Sequence, residues 1–311
     1  MTMTIEFDER LGKAFTFISN EMAISNITES LETKDIEILK AHDSVHEFMR
    51  LAHLSYGKND ETWHEKSAFL LYHWETFHSA HVAIIDALAG YYNAGYVLLR
   101  NALELYVKGA FWQCLGHRRF RDSTRILDED AKKDGKRISI KDWIEALIEQ
   151  TPSIKEDLEK TSAGIFDKMA VLFEDENLQR EYVRIPSFSV IVKQLVDWKV
   201  IDISQGYEVV YNGLYRRLSK DVHVIPDSTD IGRRILREKD LFKINVIPEE
   251  LNKFMKTLCE IMDIGIVVEL NVLIDWIQSD EVKTALKGRV DVMENLGLEL
   301  GLKKLDSLVQ S

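Results

Sequence analysis

At residues 91–104 the chain reads Tyr91-Tyr92-Asn93-Ala94-Gly95-Tyr96-Val97-Leu98-Leu99-Arg100-Asn101-Ala102-Leu103-Glu104. Small and apolar side chains recur at helical spacing through this stretch and its continuation, at Ala94, Leu98, Ala102, Leu105 and Gly109. A face of small residues lets a neighbouring helix approach closely. The opposite stripe, spaced by four residues, holds Tyr92, Tyr96, Arg100, Glu104 and Lys108. The stretch therefore predicts a long helix in a bundle, with polar side chains along one seam.

A second polar helix is predicted further along the chain, before Pro226. It reads Tyr211-Asn212-Gly213-Leu214-Tyr215-Arg216-Arg217-Leu218-Ser219-Lys220-Asp221-Val222-His223. On a helix Tyr215, Ser219 and His223 share one stripe, and Arg216, Lys220 and His223 share another. His223 is thus expected between hydroxyl groups and cations.

The composition favours helices throughout the chain. The 311 residues are 45% hydrophobic and include only 4 prolines and 15 glycines, so residues that break helices are rare. We expect an all-α antiparallel helical bundle. Residues 1–60 would supply N-terminal helices, residues 61–225 the core, and residues 226–311 C-terminal helices packed on that core.

Local patterns predict most helix boundaries. A break is expected between residues 30 and 35, and Pro152, Pro186 and Pro248 each open a helix. Residues 116–138 are highly charged and contain Asp134-Gly135, so they are expected to form an exposed connection with a turn. A short strand is predicted at residues 242–246.

The charge pattern bears on partners. The net charge of −12 opposes binding of nucleic acid or anionic membranes over most of the surface. Basic residues nevertheless outnumber acidic ones at residues 116–137 and 212–239. Each segment is either a solvated helix face or a local site for phosphate.

Other features indicate a cytoplasmic protein that does not enter a membrane. Cys114 and Cys259 lack metal-binding spacing and are expected to be reduced core thiols. The N-terminus lacks the pattern of a signal peptide. The most apolar run, residues 261–277, contains three acidic residues and is expected to be a buried helix.

His223 and its neighbouring arginines suggest acid–base chemistry on a phosphate. Nearby cations disfavour the charged imidazole, so His223 would accept a proton near neutral pH. Arginine can hold a phosphate through two parallel hydrogen bonds. Metal-free RNA cleavage needs these two groups. The alternative is a histidine that caps the end of a helix, beside solvated arginines.

The Arg100–Glu104 pair has two interpretations. Spaced by four residues, the two side chains can form an ordinary ion pair on a helix surface. Their apolar surroundings instead favour a partly buried pair, which would need further polar partners. Tyr215, Ser219 and His223 are the expected partners.

These motifs resemble a bacterial and archaeal domain family of unknown function that is similar to the HEPN superfamily. The matching residues lie within about 65–225 and include Asn93, Ala94, Leu98, Leu99, Arg100, Leu103 and Glu104, then Pro186, Ser187 and Phe188, then Tyr211, Tyr215, Leu218, Ser219 and His223. The resemblance implies an antiparallel bundle that forms homodimers. It also implies metal-independent RNase activity through an arginine followed by His223 after four to six residues.

Both Arg217 and Arg216 satisfy that spacing. The residue after the arginine is usually Asn, Asp or His in the family, whereas Leu218 follows Arg217 and Arg217 follows Arg216. His223 would be the acid and base, and Arg217 or Arg216 the phosphate-binding cation. Arg100, Glu104, Tyr215 and Ser219 would support them.

A metal site is a further hypothesis, because seven of the nine histidines lie between His42 and His81. Two Glu-x-x-His units, ending at His64 and His78, resemble the carboxylate–histidine units of di-iron bundles. They are too close in sequence to face each other from one helix. Such a site would need three of His64, His78, His81, Glu75 and Glu104 to converge.

The leading functional hypothesis is an HEPN-like RNA-acting protein, a metal-independent endoribonuclease of a defence or toxin system. The alternatives are a non-catalytic scaffold or partner-binding module and a carboxylate–histidine metal-binding bundle. The sequence lacks a P-loop, a dinucleotide fingerprint and a nucleophile elbow. We therefore expect no cofactor and no nucleotide-dependent enzyme, with RNA and a second copy as partners.

Overall fold

The computed structural model describes residues 11–13, 15, 16, 19, 23–33, 35–56, 67–150, 182–222 and 246–310. These residues are mostly helical, and their sheet consists of two short parallel strands in which Ile138 pairs with Val183 and Ser139 with Arg184. The predicted all-α helical bundle is confirmed. In the described ranges, no helix is both long and apolar enough to cross a membrane.

The elements run in the following order along the chain. They are α1 (Ser25–Glu32), α2 (Ile36–Tyr56), α3 (Ala68–Leu88), α4 (Tyr92–Gly116), α5 (Arg118–Arg121), α6 (Arg125–Asp134), β1 (Ile138–Ser139), α7 (Ile140–Gln150), β2 (Val183–Arg184), α8 (Phe188–Asp197), a π-helix (Glu208–Tyr215), α9 (Arg216–Val222), α10 (Pro248–Val272), α11 (Asp280–Lys287), α12 (Val290–Leu296) and α13 (Glu299–Val309). The predicted helix at residues 154–173 lies outside the described residues, and so does the predicted strand at 242–246 except for Val246, which is not in a strand.

Helices α3 and α4 form an antiparallel hairpin at the centre of the molecule. Gly90 adopts a positive φ of 87° in their three-residue connection, a conformation that glycine adopts without steric cost. The two helices approach closely at Gly109, where a Cβ atom would lie 2.6 Å from the Cβ of Tyr72. The absence of a side chain at Gly109 therefore allows the tight packing of the hairpin.

Helix α10 completes the core by packing against α2, α3 and α4. Its side chains at Phe254, Leu258 and Ile261 are fully buried. At the far side, both carboxylate oxygens of Asp263 accept hydrogen bonds from main-chain N–H groups at the start of α13, at 2.8 and 3.1 Å. The core thus joins helices from the N-terminal, central and C-terminal parts of the chain.

The predicted close-packing face of α4 is wrong in part. Ala94 is exposed and Leu98 is half-buried, whereas Tyr92 and Tyr96 of the predicted polar stripe are buried. The reason is that α4 contacts α10 as well as α3, so it buries more than one stripe. The phenol of Tyr96 donates to Glu250 of α10 at 2.9 Å.

The predicted exposed connection at residues 116–138 is also corrected, since it contains α5 and α6. Arg121 is only 3% exposed and donates to the main-chain carbonyls of Leu115 and Gly116 and to Glu145. These contacts fold a charged segment onto the core. The predicted turn is confirmed at Gly135, which has a φ of 69°.

A histidine and a glutamate meet inside the core. The Nε2–H of His73 donates to the Phe48 carbonyl at 3.2 Å, and Oε2 of Glu269 lies 3.2 Å from the same nitrogen. Burial lowers the pKa of His73 to about 3. Burial, followed by the charge of Glu47, raises the pKa of Glu269 well above its usual range. His73 is therefore neutral near neutral pH, and burial opposes ionisation of Glu269 in the folded protein.

We predict that Glu269→Gln flattens the fall in stability at high pH. Unfolded Glu269 ionises above about pH 4.5, while folded Glu269 keeps its proton, so its contribution to stability falls as pH rises. His73 has the opposite effect between about pH 3 and 6.5, where only the unfolded imidazole is charged. The wild type should therefore lose stability relative to Glu269→Gln as pH rises, until Glu269 ionises in the folded state.

Urea unfolding at pH 6.5 and at higher pH measures this difference. Glu249→Gln is the matched control, because Glu249 lies exposed on the same helix and not in the core. Parallel stability curves for the wild type and Glu269→Gln would contradict the assignment of a neutral buried carboxyl.

Candidate functional site

The segment before α9 is a π-helix, Glu208–Tyr215, that continues directly into α9. In a π-helix each N–H group donates to the carbonyl five residues earlier, and this rare widened turn is often found at functional sites. The sequence pattern predicts a helix here but carries no indication of the wider turn. The π-helix therefore overlaps the second polar helix that the sequence predicts.

Two tyrosines of this π-helix and the tyrosine just before it stack in a row, which we call the tyrosine ladder: Tyr207, Tyr211 and Tyr215. Successive ring centroids lie 5.3 Å apart, with interplanar angles of 23° and 15°. Phe188 of α8 stacks on Tyr215 at 4.4 Å and extends the row. All three tyrosines are half-buried. The ladder is thus a fixed aromatic surface that solvent can reach.

Each ring of the ladder has a cation beside it. The guanidinium carbons of Arg100 and Arg216 lie 4.8 and 5.5 Å from the ring centroids of Tyr215 and Tyr211. The Lys193 ammonium lies 4.9 Å from the centroid of Tyr207. The cations come from α4, α9 and α8 in turn, so three elements of the fold build the arrangement. Such pairs are attractive because the face of an aromatic ring carries negative potential.

Arg100 and Glu104 form the predicted ion pair and are largely buried. Arg100 Nε donates to Glu104 at 3.0 Å, and Lys108 donates to the second carboxylate oxygen at 2.6 Å. Arg100 Nη2 also donates to the Tyr215 hydroxyl at 2.8 Å. The structure thus brings Arg100, Glu104 and Tyr215 together, and this network holds the end of the π-helix against α4.

The remaining predicted residues are placed differently. Ser219 donates to the main-chain carbonyl of Tyr215 at 2.6 Å, one turn earlier on the same helix. Arg217 is exposed and forms an ion pair with Glu260 of α10 at 2.8 Å. Arg216 is exposed beside the ladder. His223 lies outside the described residues, so its position relative to Arg100 and Glu104 stays a prediction.

The residues of the predicted carboxylate–histidine site do not come together where they are described. Glu104 is bound by Arg100 and Lys108, while Glu75 and His78 lie exposed on α3. His64 lies outside the described residues. His81 instead lies beside two histidines of α2, His42 and His46, whose spacing of four residues in the sequence places them on one face of a helix.

The tyrosine ladder combines stacking surface with positive charge. Exposed Arg216, Arg217 and Lys220 extend the charge along α9. Aromatic rows next to guanidinium and ammonium groups suit ligands that carry planar rings and phosphates. Compared with protein-family models, curated proteins and solved structures, the chain matches none of them.

Proposed function

We propose that the protein binds single-stranded RNA along the tyrosine ladder and the exposed face of α9, and cleaves it without a metal ion. The observation that carries this proposal is the ladder itself, in which each of three tyrosine rings has a cation 4.8–5.5 Å from its centroid. Proteins that bind single-stranded nucleic acid combine positive charge with aromatic side chains on which bases stack. The resemblance to HEPN domains agrees with the proposal.

The negative net charge of the protein restricts RNA binding to a small part of its surface. With a net charge of −12, the chain repels RNA over most of its surface. Arg216 and Lys220 lie one helical turn apart on α9 and are both exposed, so they can meet successive phosphates. Binding through a few phosphates should weaken as salt rises.

Cleavage would follow from His223, the residue after the last described position of α9. His223 would take the proton from the ribose 2′-OH, whose oxygen attacks the adjacent phosphorus. The bond to the 5′-oxygen then breaks, and the departing oxygen receives a proton. The products are a 2′,3′-cyclic phosphate and a 5′-hydroxyl. General acid–base catalysis of this kind needs a group that titrates near neutral pH.

Arg216 is the better candidate for the cation that holds the phosphate. Arg217 is already paired with Glu260, whereas Arg216 lies exposed beside the ring of Tyr211. A guanidinium in that place can stabilise the charge that develops on the phosphate oxygens. Arg100, Glu104 and Tyr215 would act as positioning residues, because their hydrogen bonds fix the ladder. Dimerisation and a role in defence rest on the resemblance alone.

A non-catalytic scaffold is the second candidate function. It is favoured by polar side chains that bond to other groups of the protein. Glu104 accepts from both Arg100 and Lys108, and Ser219 donates to its own helix. Such networks fix the register of packed helices. A scaffold of this kind has no need for the exposed cations of α9, so RNA binding distinguishes the two functions.

We predict that the double substitution Arg216→Ala with Lys220→Ala weakens RNA binding by at least about tenfold at low salt and reduces its salt dependence. The control is Lys287→Ala with Lys303→Ala, which removes the same charge from exposed positions of α11 and α13. Fluorescence anisotropy with a labelled single-stranded RNA of mixed sequence measures both. Equal weakening by the two double variants would overturn the proposed surface, and no binding by the wild type would favour the scaffold.

A further inference from the structure

Three histidines from two helices converge on the surface, away from the tyrosine ladder. His42 and His46 lie one turn apart on α2, and His81 faces them from α3. The Nε2 atoms of His46 and His81 are 3.2 Å apart. Each histidine offers one ligand atom, and these three atoms all lie within 4.8 Å of one another.

Two of the rings are oriented by hydrogen bonds at their other nitrogen. Nδ1 of His81 lies 2.9 Å from the Phe77 carbonyl, and Nδ1 of His42 lies 2.9 Å from a carboxylate oxygen of Asp43. Carbonyl and carboxylate oxygens accept, so in both rings Nδ1 carries the hydrogen. The lone pair of each neutral ring is therefore on Nε2. Metal-binding histidines are commonly oriented by such carbonyl and carboxylate partners.

Aromatic packing also holds the rings in place. Phe77 packs its ring against both His46 and His81, at centroid distances of 5.5 and 4.2 Å. Three imidazoles whose ring nitrogens converge suit a borderline-soft divalent cation.

We propose that His42, His46 and His81 bind one divalent transition-metal ion, such as Zn²⁺, through their Nε2 atoms. A tetrahedral zinc with bonds of 2.0–2.1 Å places its ligand nitrogens about 3.3 Å apart, close to the 3.2 Å between His46 and His81. The side chain of His42 is 49% exposed, so its ring has room to close the remaining distance. Three histidines fill three positions of a tetrahedral ion, and a water molecule would be the fourth ligand on the solvent side of His42.

The proposed metal would join α2 to α3. Its ligands come from helices separated in sequence by residues 57–67, so binding would hold the two together in the folded state. A ligand that binds only the folded protein stabilises it by mass action. This site is independent of the proposed RNA chemistry, which needs no metal and is assigned to other residues.

The test is calorimetric titration of the full, untagged chain with Zn²⁺ after dialysis against EDTA and removal of the chelator. We expect one zinc per chain, and the variants His46→Asn and His81→Asn should each weaken binding by more than about tenfold. His78→Asn on α3 is the matched control, because its exposed ring lies outside the cluster. Circular dichroism checks that every variant folds.

A second readout keeps the test specific. Co²⁺ in place of Zn²⁺ should give the intense visible bands of a four-coordinate site in the wild type and in His78→Asn, but not in His46→Asn. Zinc should also raise the melting temperature of the wild type and not that of His81→Asn. The proposal is overturned if the wild type binds no zinc at millimolar concentration, or if the double variant His46→Asn with His81→Asn binds it as tightly as the wild type.

Discussion

Arg289→Ala should destabilise the protein by about 3–5 kcal/mol. Arg289 donates to both carboxylate oxygens of Glu47, at 2.9 and 2.6 Å. Glu47 is only 2% exposed, so removing its partner leaves a buried negative charge without compensation. Glu269 lies near Glu47 but cannot compensate its negative charge, because a carboxyl group is either neutral or negative.

The matched control is Arg119→Ala. Arg119 donates to Asp275 at 2.8 Å, but both side chains are about half exposed, at 46% and 53%. Exposed ion pairs contribute about 0–1 kcal/mol, so this variant should lose little stability. Urea unfolding followed by circular dichroism compares the two. Equal losses would show that burial of Glu47 does not govern the effect.

A rescue experiment separates lost charge from lost packing. Replacing both partners, with Glu47→Leu and Arg289→Met together, removes the buried charge and keeps apolar volume. Such replacements of buried pairs are often neutral or stabilising. The double variant should therefore recover most of the stability that Arg289→Ala loses.

Helix boundaries with a local cause could be predicted from the sequence. Pro248 starts α10 because proline lacks the N–H that the first turn leaves without a partner. Gly135 ends α6 in the left-handed conformation, as the Asp134-Gly135 pair indicates. The break between α1 and α2 likewise falls within residues 30–35. Each of these features depends only on neighbouring residues.

Features that depend on distant contacts could not be predicted. Glu47 and Arg289 are 242 residues apart, and their pairing has no local pattern. Residues 116–138 were predicted to be an exposed connection, but Arg121 buries its guanidinium against α4 carbonyls and Glu145. Charge alone therefore gave the wrong structure for that segment.

The candidate site was predictable where it depends on local spacing, and not where it depends on distant contacts. The spacing of Arg100 and Glu104 indicates their pairing, and a partner on the second polar helix was expected, as Tyr215 provides. The spacing of the three tyrosines also follows from the sequence. Phe188 stacks on Tyr215, and Lys193 lies beside the ring of Tyr207. Both residues belong to α8, and only the fold brings that helix to the ladder.

His223→Ala should lower RNA cleavage by about a hundred- to ten-thousandfold, the usual contribution of a general acid or base. The variant keeps Arg216, Lys220 and the tyrosine ladder, so RNA binding should change little. His78→Ala is the matched control, since His78 is exposed on α3 and distant in sequence from α9. Circular dichroism establishes that both variants fold like the wild type.

The most direct measurement is cleavage of a mixed pool of single-stranded RNA in EDTA by the wild type, His223→Ala and His78→Ala. Our account predicts 2′,3′-cyclic phosphate ends with the wild type and His78→Ala, and almost no cleavage with His223→Ala. Intact RNA with the wild type, or equal cleavage by all three proteins, would contradict the proposal that His223 carries metal-free RNA cleavage.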